Sequence, residues 1–402
     1  MWIYVKITRR KHRCFVLSIA VTLVLLIYYV AHKRAMYKPR WETVYDIDDW
    51  LTSSVPGCQS HFSGYGHKMV VLKYARFKGN ETFEIPCEGH MPKYEFVYDD
   101  ESPLASWLSR LRSYPISKKP STDSSVRMAP TFVFKRIEAH NLYHTMCEWF
   151  NVFMISKLFN IDPHAADILF LDDRPPSPLD GTWDVLFGSV TKYKAVPYDT
   201  IYKTLIWSAV GYNSPLNFHN LHSVPYIEEF RKFFLRAYNV QGTRTLDCSR
   251  LHVTVIWRRD YMTHPERKNT TNGLVHRKFK NEDEIFKTLS LVFANDKVTS
   301  VILEQMSMEE QIAVVEDTDI LIGMHGAGMA HAMFLPKHGA VLEFFPNYWG
   351  FLRHFKMFSK WRGVKYVGWQ NTDPVNEYAD FYTKIPIHVV RTKAFEVRGK
   401  IC

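Results

Sequence analysis

Three groups of residues have the types and spacing to do chemistry. His140, His144 and Glu148 recur every fourth residue, which on a helix places them on one face. A histidine beside a carboxylate can act as general base, with Glu148 either holding the His144 tautomer or taking the proton itself. Both choices stay open. The same spacing could present metal ligands, but zinc would want a third or fourth ligand and the sequence positions none; no metal is expected. A polar helix face with satisfied groups is the plainer reading, more so for His140.

The second group is Asp319-Ile-Leu-Ile-Gly-Met-His325-Gly326-Ala327-Gly328-Met-Ala-His331. An apolar strand runs into glycines where a helix should begin. Glycines there let the backbone approach an anion, which then meets the helix N-terminus, and His325 aims at the same spot. A tight strand–helix turn would also explain them. The spacing Gly326-x-Gly328-x-x-His331 lacks the third glycine of the dinucleotide fingerprint, which argues against a nicotinamide enzyme. Next, Glu343 stands inside the apolar run Ala340–Phe345, where an unpaired acid is costly. It either accepts hydrogen bonds from ribose hydroxyls or pairs with a base such as Lys337. Asp317-Thr318-Asp319 resembles a metal–nucleotide motif, but it precedes a strand, away from the carboxyl edge where ligands bind.

The third group is basic: Trp257-Arg258-Arg259-Asp260, then His276-Arg277-Lys278. Guanidinium groups at strand ends suit a diphosphate through bidentate contacts. For Arg259 and Lys278 a solvated surface is an equal alternative.

The elements that must hold these residues are readable. Thr131–Phe134, Asp167–Leu171 and Thr200–Trp207 read as strands, Asn141–Phe159 as an amphipathic helix and Ile227–Tyr238 as another. After Cys248 strands and helices alternate: strands at His252–Trp257, Val298–Leu303, Asp319–Ile322 and Ala340–Phe345, helices at Glu282–Phe293, Ser307–Val315 and Gly326–Phe334. Apolar strands alternating with helices predict parallel sheets covered on both faces. Two α/β halves are expected, 58–245 and 246–402, with a cleft between them.

Charge places the chain. There are 51 Lys+Arg and 41 Asp+Glu, a formal +10. Nine of the basic residues lie in Met1–Arg40, which holds no acid, leaving 42 against 41 in the rest. A nearly neutral body removes the nucleic-acid reading that the total invites. Residues 14–32 carry no formal charge and would span about 28 Å as a helix, the thickness of a bilayer core. The sequence after it, Val30-Ala31-His32-Lys33-Arg34, is a poor cleavage site, so an uncleaved anchor is expected rather than a signal peptide. Residues 1–13 would be a cytosolic tail and 33–57 a stem. Asn80-Glu-Thr and Asn269-Thr-Thr are glycosylation triplets. Five cysteines follow the anchor, which fits an oxidising compartment, with Cys58–Cys87 the first pairing to test. These features favour a type II protein with its body in the Golgi lumen, the endoplasmic reticulum being the lesser alternative.

The run Asp319–Pro346, the series Arg258…Arg277…Asn281-Glu282, and Asn141-Leu-Tyr-His144-Thr-Met-Cys-Glu148-Trp together resemble glycosyltransferase family 61, nearest its plant-type β-1,2-xylosyltransferase branch. The resemblance covers about residues 130–370. It implies a GT-B fold with two Rossmann-like domains, a UDP-sugar donor in the second, and inversion at the anomeric carbon. Arg258, Arg277, Asn281, Glu282, His325, Gly326, Ala327, Gly328 and Glu343 would bind the donor, and His144 or Glu148 would be the base. Fixed positive charge would then replace a metal. The branch implies xylose transferred to the core mannose of glycoprotein N-glycans. Transfer of N-acetylglucosamine to protein O-linked glycans and a non-catalytic sugar-binding role are the alternatives.

Overall fold

The computed structural model describes residues 47–94, 110–117, 124–208, 210, 213–260, 274–350 and 352–402. The expected tail, anchor and Asn269 lie outside them. No described helix is long and apolar enough to cross a membrane.

The expected stem ends early. Ile47 and Trp50 are apolar and buried, so helix α1 (Asp48–Thr52) folds against the body. Strand β1 (Ser54–Gly57) follows and pairs antiparallel with β2 (Phe62–Tyr65). The first sheet continues through β3 (Met69–Phe77), β4 (Phe83–Pro86), β5 (Leu111–Tyr114), β6 (Val126–Arg127), β7 (Thr131–Phe134), β8 (Asp167–Phe170), β9 (Val190–Lys192) and β10 (Ile201–Ser208). Its main order is β1-β2-β3-β10-β7-β8-β9. Only part of it is the parallel sheet expected: β10, β7, β8 and β9 run parallel, while β1, β2 and β3 pair antiparallel. Short turns join β1 to β2 and β2 to β3, and such connections permit antiparallel pairing only. Asn80 is exposed on the β3–β4 turn, and Cys58 is bonded to Cys87 as expected.

Helix α2 (Leu142–Leu158) was expected to be amphipathic, yet 14 of its 17 residues are buried. Its Trp149, Phe150 and Phe153 rings pack against Trp183, Phe230, Phe233 and Phe234. Asn141 caps it, accepting from the Tyr143 amide. Helices α3 (Asp180–Leu186) and α4 (Ile227–Ala237) complete the first half.

The second half contains a five-stranded sheet, wholly parallel: β11 (His252–Ile256), β13 (Lys297–Val301), β14 (Ile320–Met324), β15 (Ala340–Phe345) and β16 (Lys365–Gln370). β12 (Lys278–Phe279) joins β17 (Glu377–Tyr378) and β18 (Tyr382–Thr383) in a small separate sheet. The helices are α5 (Glu282–Val292), α6 (Met308–Glu316), α7 (His354–Arg362) and α8 (Ile387–Arg398). α5 packs on α8, whereas α6 and α7 pack against a different segment, Ala327–Met333. A second disulfide, Cys248–Cys402, ties the end of the chain to the start of this half, and Cys147 is a buried free thiol.

The two halves are joined firmly. α2 packs on the segment Ala327–Met333 and α4 packs on α7. The rings of Phe234 and Phe334 lie 4.5 Å apart, and Arg231 Nε donates to the Phe334 carbonyl. Asp46–Cys402 accordingly forms one compact unit.

Candidate active site

Counted along the chain, the strands of the second sheet lie in the order 2-1-3-4-5, β13-β11-β14-β15-β16. The order reverses between β11 and β14, and ligands of such sheets bind beyond the carboxyl ends at that point. β11 ends into Trp257-Arg258, and β14 ends into His325-Gly326. The Arg258 guanidinium lies so close to Gly326 that any Cβ there would collide with it. The backbone at 326 is extended (φ 168°), so what glycine permits there is the close approach of that side chain, rather than a special backbone angle.

Arg277 arrives from the loop before β12, in a left-handed conformation (φ 63°) that a non-glycine residue adopts at some cost. Its Nε donates to the His325 carbonyl at 2.7 Å and its guanidinium lies 4.8 Å from the Trp349 ring. It makes no ion pair among the described residues. Burial, and then the charge of Arg258, lower its pKa to about 10. Two guanidiniums thus converge on the reversal point, as the sequence suggested. The expected helix Gly326–Phe334 is instead a seven-residue 3-10 helix, Ala327–Met333. Little more than two turns long, it carries a smaller dipole than a full α-helix would. Positive charge at this site therefore comes from the arginines.

Glu343 has His325 and Tyr366 as its partners rather than Lys337. It is 1% exposed, its Oε1 meets His325 Nδ1 at 2.6 Å and its Oε2 accepts from the Tyr366 hydroxyl at 2.7 Å. Mid-strand on β15, it lies in register with Gly323 on β14 and Gly368 on β16. A Cβ at Gly368 would meet the Tyr366 hydroxyl, so that glycine leaves room for one of the two partners, whereas the space beside Gly323 is taken by Met329 Sδ. Glu343 therefore orients His325 from below.

Asn281 and Glu282 are also occupied. Asn281 exchanges hydrogen bonds with both backbone groups of Ile385, and Glu282 pairs with Arg259 at 2.8 Å. Lys278 is buried against Asp260 and the Tyr382 ring. Asp319 is buried at the opposite, amino edge of the sheet with Arg244 and His338, which disposes of the Asp317–Asp319 motif as a ligand site.

On the first half, His140 precedes α2, so it does not share the helix face of His144. Glu148 does not partner His144. It is 2% exposed; its Oε1 accepts from the Ile137 amide at 3.0 Å, and its Oε2 has no hydrogen-bond partner among the described residues. Burial, opposed by the Ile137 amide and reinforced by Asp172, raises its pKa to about 8. The partner of His144 is Glu138, whose Oε2 lies 3.4 Å from His144 Nε2 and accepts from Asn141 Nδ2 at 2.9 Å. Beside them Tyr143 stacks near His354, with ring centroids 4.3 Å apart. His354 Nδ1 lies 2.8 Å from His219 Nε2, and its ring lies 5.9 Å from that of His325. Burial holds both His354 and His219 neutral, His219 with a pKa lowered to about 4. The site spans both halves.

A cavity of about 260 Å³ opens between the halves, lined by His140, Leu142 and Leu179 from the first and by Arg258, Gly328 and His331 among others from the second. Glu138, Tyr366, His219 and His354 were not singled out in the sequence. Only the stretch containing Glu138 lies beside a motif; the other three are brought in by folding alone.

The sequence pattern of the family Glycosyltransferase 61 matches residues 128–342, a stretch that includes α2, the reversal point and β14. Among characterised proteins the chain is 26% identical to the β-1,2-xylosyltransferase of Arabidopsis thaliana over 59% of this chain and 51% of that one. It is 25% identical to the β-1,2-xylosyltransferase RCN11 of Oryza sativa subsp. japonica over 59% and 48%. It is 28% identical to the EGF domain-specific O-linked N-acetylglucosamine transferase of Drosophila melanogaster over 68% and 52%. The chain spans about half the length of these curated relatives. With the pattern covering more than half of its residues, the chain belongs to glycosyltransferase family 61.

Proposed function

We propose that the chain is an inverting glycosyltransferase of GT-B type that takes xylose from UDP-xylose and places it β-1,2 on the core mannose of a glycoprotein N-glycan. The observation that carries the reading is the convergence of Arg258 and Arg277 on the reversal point of a parallel sheet. When the bond to the sugar breaks, negative charge grows on the diphosphate, and two fixed guanidiniums stabilise it without reorganising. That fixed charge takes the place of a metal. Inversion needs one displacement, so the protein must supply a base and a stabilised leaving group but no nucleophile.

His144 is the base in this reading. It is partly exposed at the cleft and has Glu138 beside it, an arrangement that favours the imidazolium formed when the acceptor hydroxyl gives up its proton. Glu148 fits the role poorly, being buried and protonated up to about pH 8. Two disulfides and an exposed glycosylation triplet at Asn80 support a lumenal body. With the uncharged run 14–32 they favour a type II Golgi membrane protein.

A second reading, N-acetylglucosamine transfer to protein O-linked glycans, is favoured by the broader coverage of the Drosophila relative. The full chain incubated with a panel of UDP-sugars and both acceptor classes decides between them by the mass added to the product. Absence of both transfer and donor hydrolysis with every sugar would overturn the enzymatic reading.

A further inference from the structure

We propose that the cavity walled by His331 is the pocket for the transferred sugar, and that His331 Nε2 accepts a hydrogen bond from a hydroxyl of that sugar. The inference rests on the reading of the chain as a nucleotide-sugar transferase and goes further by assigning a place and a contact to the sugar itself.

Position is the first argument. The cavity opens beyond the carboxyl end of β11, where Arg258 forms part of its wall, and it is closed on the other side by Leu142 and Leu179 of the first half. A group that leaves a diphosphate for an acceptor must sit between the two, next to the charge that holds the diphosphate. Size is the second. At about 260 Å³ the space lies below the roughly 300–1,000 Å³ of pockets that enclose a whole drug-sized ligand. One sugar ring, rather than a complete nucleotide, matches it. Ile256, Leu303 and Met306 give it an apolar wall, suited to the C–H face of a neutral sugar.

His331 is the third argument. It stands where the dinucleotide fingerprint has its last glycine, a position normally kept small for close packing. A buried imidazole there needs an explanation. The ring is 0% exposed and its Nδ1 lies 2.9 Å from the Gly328 carbonyl. A carbonyl only accepts, so Nδ1 carries the proton and Nε2 is left with its lone pair. Nε2 has no hydrogen-bond partner among the described residues, an uncommon and costly state for a buried polar atom. Burial lowers the pKa of the ring to about 4, so it remains an acceptor at neutral pH. A sugar hydroxyl is a donor of the right kind, and the cavity that His331 lines is where one can enter.

Calorimetry on the full-length protein tests this with UDP, UDP-xylose and UDP-N-acetylglucosamine as titrants. The wild type is expected to bind one of the two UDP-sugars more tightly than UDP. His331→Phe should leave UDP affinity unchanged and reduce that sugar-dependent gain about three- to tenfold, the range for one neutral hydrogen bond. His331→Gln, which restores an acceptor, should recover it. Met306→Trp fills the cavity from a half-buried position and should abolish the gain; it carries the test should His331→Phe fail to fold. Equal weakening of UDP and UDP-sugar in these variants would assign the cavity to the nucleotide and overturn the proposal. So would an undiminished gain in His331→Phe and Met306→Trp, or a wild type that binds neither UDP-sugar better than UDP. A wild type that does not bind UDP at all fails differently: it removes the nucleotide-sugar reading, and this inference with it.

Discussion

Replacing Glu148 by glutamine should make the protein more stable, and increasingly so as the pH rises. The side chain is 2% exposed and has one hydrogen bond, from the Ile137 amide, while its second oxygen has none among the described residues. Its pKa is raised from 4.5 to about 8 in the folded protein, so between those values the native state binds a proton that the unfolded state has released. Stability then falls with rising pH. The contribution is fully present below about pH 4.5 and is lost as the pH climbs through 8. Integrating that difference gives a loss of about 3 kcal/mol between pH 5 and 8, with some 1.4 kcal/mol for each pH unit in the middle of the window. Glutamine keeps the shape and the acceptor for Ile137 but cannot ionise. Urea denaturation of both proteins at pH 5, 6, 7 and 8 reads the effect directly. The gap in favour of Glu148→Gln should widen by about 3 kcal/mol across the series. A constant gap, or one that narrows with pH, would refute the buried neutral acid. Turnover supplies the companion result. If Glu148 is neutral at working pH, Glu148→Gln keeps near wild-type activity, and a hundredfold loss would return it to the list of bases.

Three further outcomes are expected. Arg258→Ala and Arg277→Ala should each weaken UDP binding by about 1.5–3 kcal/mol, the range for hydrogen bonds to charged groups, or about ten- to over a hundredfold; unchanged affinity by calorimetry would remove that arginine from the diphosphate. His144→Ala should lower kcat about a hundredfold or more with little change in UDP affinity, the scale of general-base catalysis. Glu138→Gln should give a smaller loss in the same parameter, whereas full activity in His144→Ala would eliminate it as base. Cys248→Ser opens a covalent loop with a sequence separation of 154 residues and should cost about 2–5 kcal/mol, read as a lowered Tm that reducing agent does not lower further through this bond.

Four strands of the second sheet were legible from their apolar runs, and the limits of Ala340–Phe345 agree to the residue; the edge strand Lys365–Gln370, with Lys, Gly and Gln among its six residues, was not read. The glycines and arginines at its carboxyl edge were legible too, since glycine beside a strand end and charge after an apolar run are local signals. The pairing of Glu148 with His144 failed for one physical reason. Periodicity shows which residues share a helix face, but it does not say whether that face looks out or in. α2 is buried around most of its circumference, so the spacing that aligned Glu148 with His144 pointed the acid into the core. The carboxylate that does serve His144 lies in the preceding turn, at Glu138, where no helical period applies. Glu343 illustrates the same limit. An acid inside an apolar strand announces a buried partner, but Tyr366 on the next strand and His325 on the previous one are neighbours only through sheet register.

The positive charge of the chain has to be read locally for the site to make sense. Its formal +10 is nearly all in Met1–Arg40, and the remainder holds 42 basic against 41 acidic groups. In such a body most cations can find an anion, as Arg136, Arg244, Lys278 and Arg398 do. Arg277 is set apart from these: it is placed beside Arg258, and its nearest fixed contacts are a carbonyl and the Trp349 ring. Two like charges held together partly out of water repel each other, and burial together with that repulsion lowers the pKa of Arg277. In the proposed reading a diphosphate would relieve the repulsion as well as supply its own attraction. Displacement of the sugar would raise the charge on that leaving group further, so the two guanidiniums would hold the transition state more strongly than the intact donor, which is the condition for lowering the barrier rather than only holding the substrate.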